Sequence, residues 1–407
     1  LGGNFIPGSN TVTFNGTGAQ SIFKATGETF NNIVFSNTGT TTLAGPITIL
    51  GNLTIQNSAS FNVGAANFDL TLAGNWNVTS INANPFVEQN GTVAFNGTGV
   101  QTISTVLPAG ETFYNLLDNN NTGGITLSNP ISVTGDFTIN TGAIFNANNQ
   151  NMRIGRNWSN SGTFTPGSNT VTFNGTVPQS IVNTAGEVFN NFVCNATGPI
   201  TFDPSTNVTI TNSFTLTSGN INLNSKMLTL GNGSIASLSY TNGILYGGTF
   251  RRYLAAGTPI TSNSGSYYGL FPMGTATDYR PIQLNSTSNP TSSGYLSAAH
   301  TDNANVIDLS PTYTDNNLDV IERITEMKSS LLASGGFDGG QYSLTISFTG
   351  LAPVGSVNDL KMISYTSAIP GSAGAIVPSS GTPAAPTVGK SSLSVSDISN
   401  AFVIGTK

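Results

Sequence analysis

The chain has 407 residues and little charge: 12 Lys and Arg and 18 Asp and Glu, 7% of the whole, leave a net charge of −6. The basic residues form no run or stripe, which argues against a nucleic-acid partner; no apolar stretch approaches the roughly 20 residues of a spanning helix, and a single Cys excludes an intramolecular disulfide framework. Low charge also accompanies disorder, but 23 Phe among abundant Val, Ile and Thr mark a folded, almost wholly β chain.

From the first residues onward, apolar side chains alternate with Thr, Ser or Asn, as in Val12/Phe14, Ile47/Ile49, Leu53/Ile55, Phe61/Val63 and Leu70/Leu72. A period of two marks half-buried strands. They are short, separated by Gly and Asn-Gly turns, and no helical period lies between them. The segment starting at Thr11-Val12-Thr13-Phe14-Asn15-Gly16 returns at Thr92 and again at Thr170, at nearly equal intervals. Gly27-Glu28-Thr29-Phe30 returns as Gly110-Glu111-Thr112-Phe113 and Gly186-Glu187-Val188-Phe189, and Asn75-Trp76 as Asn157-Trp158. Three repeats of short strands without crossover helices predict a parallel β-solenoid (β-helix) over residues 1–238. Turns of about 20–27 residues would stack strands roughly 4.8 Å apart, with Val, Ile, Leu and Phe inside and Asn and Thr in axial ladders.

Beyond residue 238 the repeat is lost. Alternation persists at Ile282–Leu284, Ser343–Phe348, Leu360–Ser364 and Ala401–Ile404, around a Gly-, Ser-, Ala- and Pro-rich stretch at 370–386 that reads as a loop. A β-sandwich-like domain is therefore expected over 239–407. Phe250-Arg251-Arg252, Leu270-Phe271-Pro272-Met273-Gly274, Tyr279-Arg280-Pro281-Ile282 and a final Ala401-Phe402-Val403-Ile404-Gly405 occur in that order. This series resembles the domain that closes many large secreted surface proteins of Bacteroidetes-type bacteria, and the first half resembles their Asn/Thr-rich β-helical repeats. The resemblance implies export and a place at the cell surface. It departs from the family where Glu322-Arg323-Ile324-Thr325-Glu326 stands without the usual Trp.

Residues able to carry chemistry are sparse. Asp69, Asp118, Asp136 and Asp203 are scattered, and Lys24, Arg153, Arg156 and Lys226 have no Asp cluster beside them, so neither a lyase nor a two-carboxylate hydrolase site is indicated. Glu28, Glu111 and Glu187 recur in register; the reading adopted is a carboxylate capping backbone N–H groups at a turn, the competing one a row that binds cations or sugars. His300, the single His, reads as a surface residue, and Cys194 as a thiol without special role. The loop with Asp302, Asp308, Asp315 and Asp319 is the one Ca²⁺ candidate, against a solvated loop, and no other cofactor is expected. Arg251, Arg252, Arg280 and Arg323 are expected to pair with Asp278, Glu322 and Glu326. Trp76 and Trp158 could stack on sugars, but core packing is the commoner fate. Asn4–Asn10 matches 163–169 in mid-solenoid, so the chain enters partway through the pattern. More turns upstream, or a second copy stacked on this end, would explain that. Leu1, Asn4 and Phe5 at one end and Phe402 and Ile404 at the other are the candidate end-to-end contacts. The function expected is a non-enzymatic, extracellular structural or adhesive surface protein that self-associates head to tail. A carbohydrate-binding adhesin module for surface polysaccharide ranks second and a polysaccharide lyase or hydrolase third.

Overall fold

The computed structural model describes residues 5–266, 268–302, 306–314, 320–325, 327–350, 355–366, 369–371 and 374–406. The chain is all-β; helix among the described residues is limited to Val357–Asp359 and Val395–Ile398. Packing divides it into two units, Leu1–Gly198 and Pro199–Lys407. The boundary read from the sequence, 238/239, lies inside the second unit, whose own parallel stacking runs on to Met273–Gly274.

The first unit is a β-solenoid with three strands to a turn. One face stacks eight strands in parallel, from Thr11–Phe14 to Thr163–Thr165, and another stacks eight from Glu28–Phe30 to Gln179–Val182. Turns vary in length: the turn that carries the chain from Phe145 to its register partner Phe164 is short, whereas that from Trp76 to its partner Ile103 is long. Alternation explains the strands, since in Ile47–Ile49 or Leu53–Ile55 the two aliphatic residues are buried and the Thr between them faces out. Aromatic rings stack along the interior: Phe35 and Phe61 sit 4.3 Å apart at 11°, and Phe61 lies 5.7 Å from Phe86.

At two corners the stacked turns are joined by polar side chains. Asn32 Oδ1 accepts the Asn52 N–H at 2.8 Å, Asn52 Oδ1 that of Asn75 at 2.8 Å, and Asn75 Oδ1 that of Thr102 at 2.9 Å. At the other corner, leading into the face that holds Phe137–Ile139, Asn115, Asp136 and Asn157 repeat the pattern, ending on the Ser180 N–H at 2.9 Å. Each acceptor satisfies a backbone donor that would otherwise lose its partner at the bend, and all but Asp136 are neutral amides, so these corners need few charges.

The recurring motif does not keep to one face. Thr92–Phe95 is the eleventh strand after Thr11–Phe14, and Thr170–Phe173 the eleventh after that. Eleven is not a multiple of three, so the three copies fall on three different faces. Glu28 and Glu111 accordingly lie on different faces, which overturns the reading of the recurrent Glu as a binding row.

The second unit begins with parallel stacking: Ile200–Phe202, Ile221–Asn222, Leu245–Tyr246 and Met273–Gly274 form one column, and Val208–Ser218, Met227–Leu230 and Thr249–Leu254 another. Pairing turns antiparallel where Thr249–Leu254 meets Gly294–Thr301. Gly294–Thr301, Lys328–Ser334, Ala401–Thr406 and Leu360–Thr366 continue that sheet, while Leu270–Phe271, Ile282–Ser288, Gln341–Ser347, Ala385–Leu393 and Ala375–Thr382 form a five-stranded antiparallel one. The last two strands occupy much of the stretch read as a loop. Pro378 is tolerated because Ala375–Thr382 is an edge strand with an irregularity between Val377 and Ser380.

Candidate functional site

Each recurrent Glu caps the backbone as expected: Glu28, Glu111 and Glu187 accept the N–H of the following residue at 3.1, 3.2 and 3.1 Å. The preceding Gly27, Gly110 and Gly186 have φ near +90°, a conformation that disfavours a side chain. At Gly110 a Cβ would also lie 1.9 Å from the Pro130 carbonyl oxygen. Beyond the cap the three differ. Glu28 is partly exposed and pairs with Lys24 Nζ at 3.1 Å. Glu111 and Glu187 are buried, and each accepts an indole N–H, from Trp76 at 3.2 Å and Trp158 at 2.7 Å. Glu187 also accepts from Asn160 and Asn183. Burial pushes the Glu111 carboxyl up to about 7, with Glu88 adding repulsion, and burial raises Glu187 as well.

Glu111 opens the third face of the solenoid anew. That face runs from Gln20–Ile22 to Phe86–Val87, stops, and resumes at Glu111–Phe113. The same two turns do pair on the other faces, through Trp76 with Ile103 and Val93 with Leu116. The gap is a cleft of about 430 Å³, with Phe86, Val87 and Glu88 on one wall and Leu107, Pro108 and Glu111 on the other. Of its walls, Phe86 reaches into the core, where it lies 6.1 Å from Phe113, both within 5.2 Å of the buried Trp76. Trp158, Phe164 and Phe189 repeat this cluster.

A second constellation lies in the second unit. Arg280, 1% exposed, donates from Nε to the Thr349 carbonyl at 2.9 Å and from Nη1 to Asp302 Oδ1 at 2.8 Å, with Asp278 3.8 Å from Nη2. His300 is buried rather than superficial: it points inward near the end of Gly294–Thr301, with Nε2 3.2 Å from Arg280 Nη1 and Nδ1 2.9 Å from Ser329 Oγ. A guanidinium only donates, so Nε2 accepts and Nδ1–H donates to Ser329. Burial and the adjacent Arg280 push the imidazole down to about 4, keeping it neutral.

The other anticipated residues fall as follows. Phe402 and Ile404 are buried, on a strand paired along both edges, by Leu360–Thr366 on one side and by Val320–Thr325 and Lys328–Ser334 on the other. They cannot form an end contact, because their side chains belong to the core. Phe5 is 44% exposed, while Leu1 and Asn4 lie outside the described residues. Of the Ca²⁺ candidates, Asp302 is held by Arg280, Asp308 by Arg323 at 3.0 Å, and Asp315 and Asp319 lie outside the described residues. Trp76 and Trp158 are core residues. Cys194 is buried opposite Phe173, and burial pushes its thiol up to about 11. Arg251 lies over the Tyr295 ring at 4.5 Å, and Arg252, fully buried, donates to the Leu270 carbonyl at 3.4 Å.

Sequence reasoning missed Gln20, Gln101 and Gln179. Each accepts the N–H of the Gly in the Asn-Gly turn four residues before it, and Gln101 and Gln179 also donate to two carbonyls of the preceding turn. Their constant place nine residues after Thr11, Thr92 and Thr170 was the available signal. Comparisons with protein-family models, with curated proteins and with solved structures find no match.

Proposed function

We propose that the protein is an extracellular structural or adhesive surface protein, non-catalytic, whose solenoid of three repeats serves as a scaffold and whose copies associate end to end, with the two antiparallel sheets of the second unit forming a sandwich-like closing domain. The stack itself supports the reading: successive turns pair in register on each face, and Asn side chains bond from one turn to the next. A turn is therefore a unit that a turn of another copy can continue in a heterologous contact repeating along an axis, with the exposed Phe5 ring as an apolar contact. The cleft at Glu111 is the feature most like an active site, and its architectural twin argues against that role: Glu187 takes the same indole hydrogen bond and is hemmed in by Asn160 and Asn183.

Sedimentation velocity over a wide concentration range, with electron microscopy of the same samples, tests this. Linear polymers that lengthen with concentration, and shorten in Phe5→Glu, are expected. A monomer at every concentration would remove the assembly half of the proposal, and polymers indifferent to Phe5→Glu would remove the contact.

A further inference from the structure

We infer that the second unit carries a binding site for a neutral saccharide, in the cleft beside Asp302. The cleft encloses about 500 Å³, within the usual range for small-molecule sites. Tyr246, Thr249, Thr275, and His300 with Asp302 bring lining side chains from four separate strand ends.

Charge selects the ligand class. Asp302 Oδ1 is fixed by Arg280 at 2.8 Å, while Oδ2 carries no hydrogen bond among the described residues and stays an acceptor. Arg280 cannot turn away, because Thr349 and His300 hold its other donors. A cation at Asp302 would face the guanidinium behind it. An anion would face Asp302, with Asp278 close by at 3.8 Å from the same guanidinium. A hydroxyl-rich neutral ligand meets neither penalty: its O–H groups donate to Oδ2, Thr249 supplies a further hydroxyl while that of Thr275 is held by Asp278, and the partly exposed Tyr246 ring offers an apolar surface for C–H faces. The buried Arg280–His300–Ser329 chain then has a purpose beyond cohesion, since it orients one carboxylate toward an open cleft. The inference goes beyond the scaffold reading and would hold for a chain that never polymerises.

Saturation-transfer NMR of the full chain with glucose, galactose, mannose, N-acetylglucosamine and their disaccharides tests it. Transfer to at least one neutral sugar is expected. Asp302→Asn should weaken binding about tenfold, the loss of one charge-assisted hydrogen bond. Tyr246→Ala should weaken it too while leaving Asp302 and Arg280 in place, so a folding defect in the first variant cannot decide the matter; Glu111→Gln should change nothing. Absence of transfer from every neutral sugar, transfer that survives both Asp302→Asn and Tyr246→Ala, or stronger binding of glucuronate or glucosamine than of the neutral sugars would overturn the inference.

Discussion

Replacing Glu111 by Gln should make the first unit less sensitive to pH. In the folded chain burial holds this carboxyl near 7 instead of the usual 4.5. A raised folded value means the native state binds the proton more tightly than the unfolded one. Stability is therefore full below about 4.5, falls as pH rises toward 7, and is flat above it. At about 1.4 kcal/mol for each tenfold difference in proton affinity, the Glu111 contribution lost across that window is about 3 kcal/mol. Gln keeps an oxygen for the Trp76 indole and cannot ionise. Urea unfolding followed by the fluorescence of Trp76 and Trp158 at pH 5 and at pH 8 should show the wild type losing about 3 kcal/mol more than Glu111→Gln between the two. A residual slope is expected from Asp118, which burial also raises to about 7, and from Glu187. Identical pH dependence in both proteins would refute the assignment of a buried, proton-holding Glu111.

Phe61→Ala removes a ring with no exposure from between Phe35 and Phe86, and should cost about 3–5 kcal/mol in thermal or urea unfolding. Gln101→Ala strands the Gly97 N–H and the Gly74 carbonyl, while the Leu72 carbonyl keeps the Asn96 N–H, a loss of about 1–3 kcal/mol by the same assays. Arg280→Met leaves Asp302 and His300 without their partner and should destabilise the second unit by about 3–5 kcal/mol, seen as faster hydrogen exchange along Gly294–Thr301.

The strands were legible because burial alternates residue by residue, and the sequence shows that alternation directly in Ile47-Thr48-Ile49. The axial ladders were legible in kind, since Asn at recurring positions has little else to bond. The phase of the repeats was not. Motif spacing counts residues, whereas the face a strand occupies depends on strands per turn, and eleven strands per repeat against three per turn rotates Glu28 and Glu111 apart. The Trp–Glu pairs were hidden for a related reason: Trp76 and Trp158 reach their Glu partners across unequal lengths of chain, because the long turn from Trp76 to Ile103 shifts the count. His300 and the pair Phe402 and Ile404 were misplaced because polarity and terminal position in sequence say nothing of how many sheet neighbours a strand will have.

In-register parallel stacking of successive turns underlies every other conclusion, and paired cysteines test it most directly. Thr54 and Asn77 are register partners on adjacent turns, both on the outward side of their strands. At the roughly 4.8 Å strand spacing a disulfide between them is within reach. The double variant Thr54→Cys with Asn77→Cys should oxidise rapidly and quantitatively under mild conditions, and Thr54→Cys with Thr79→Cys should not. Equal cross-linking of the two pairs, or none in the first, would contradict a solenoid of stacked turns.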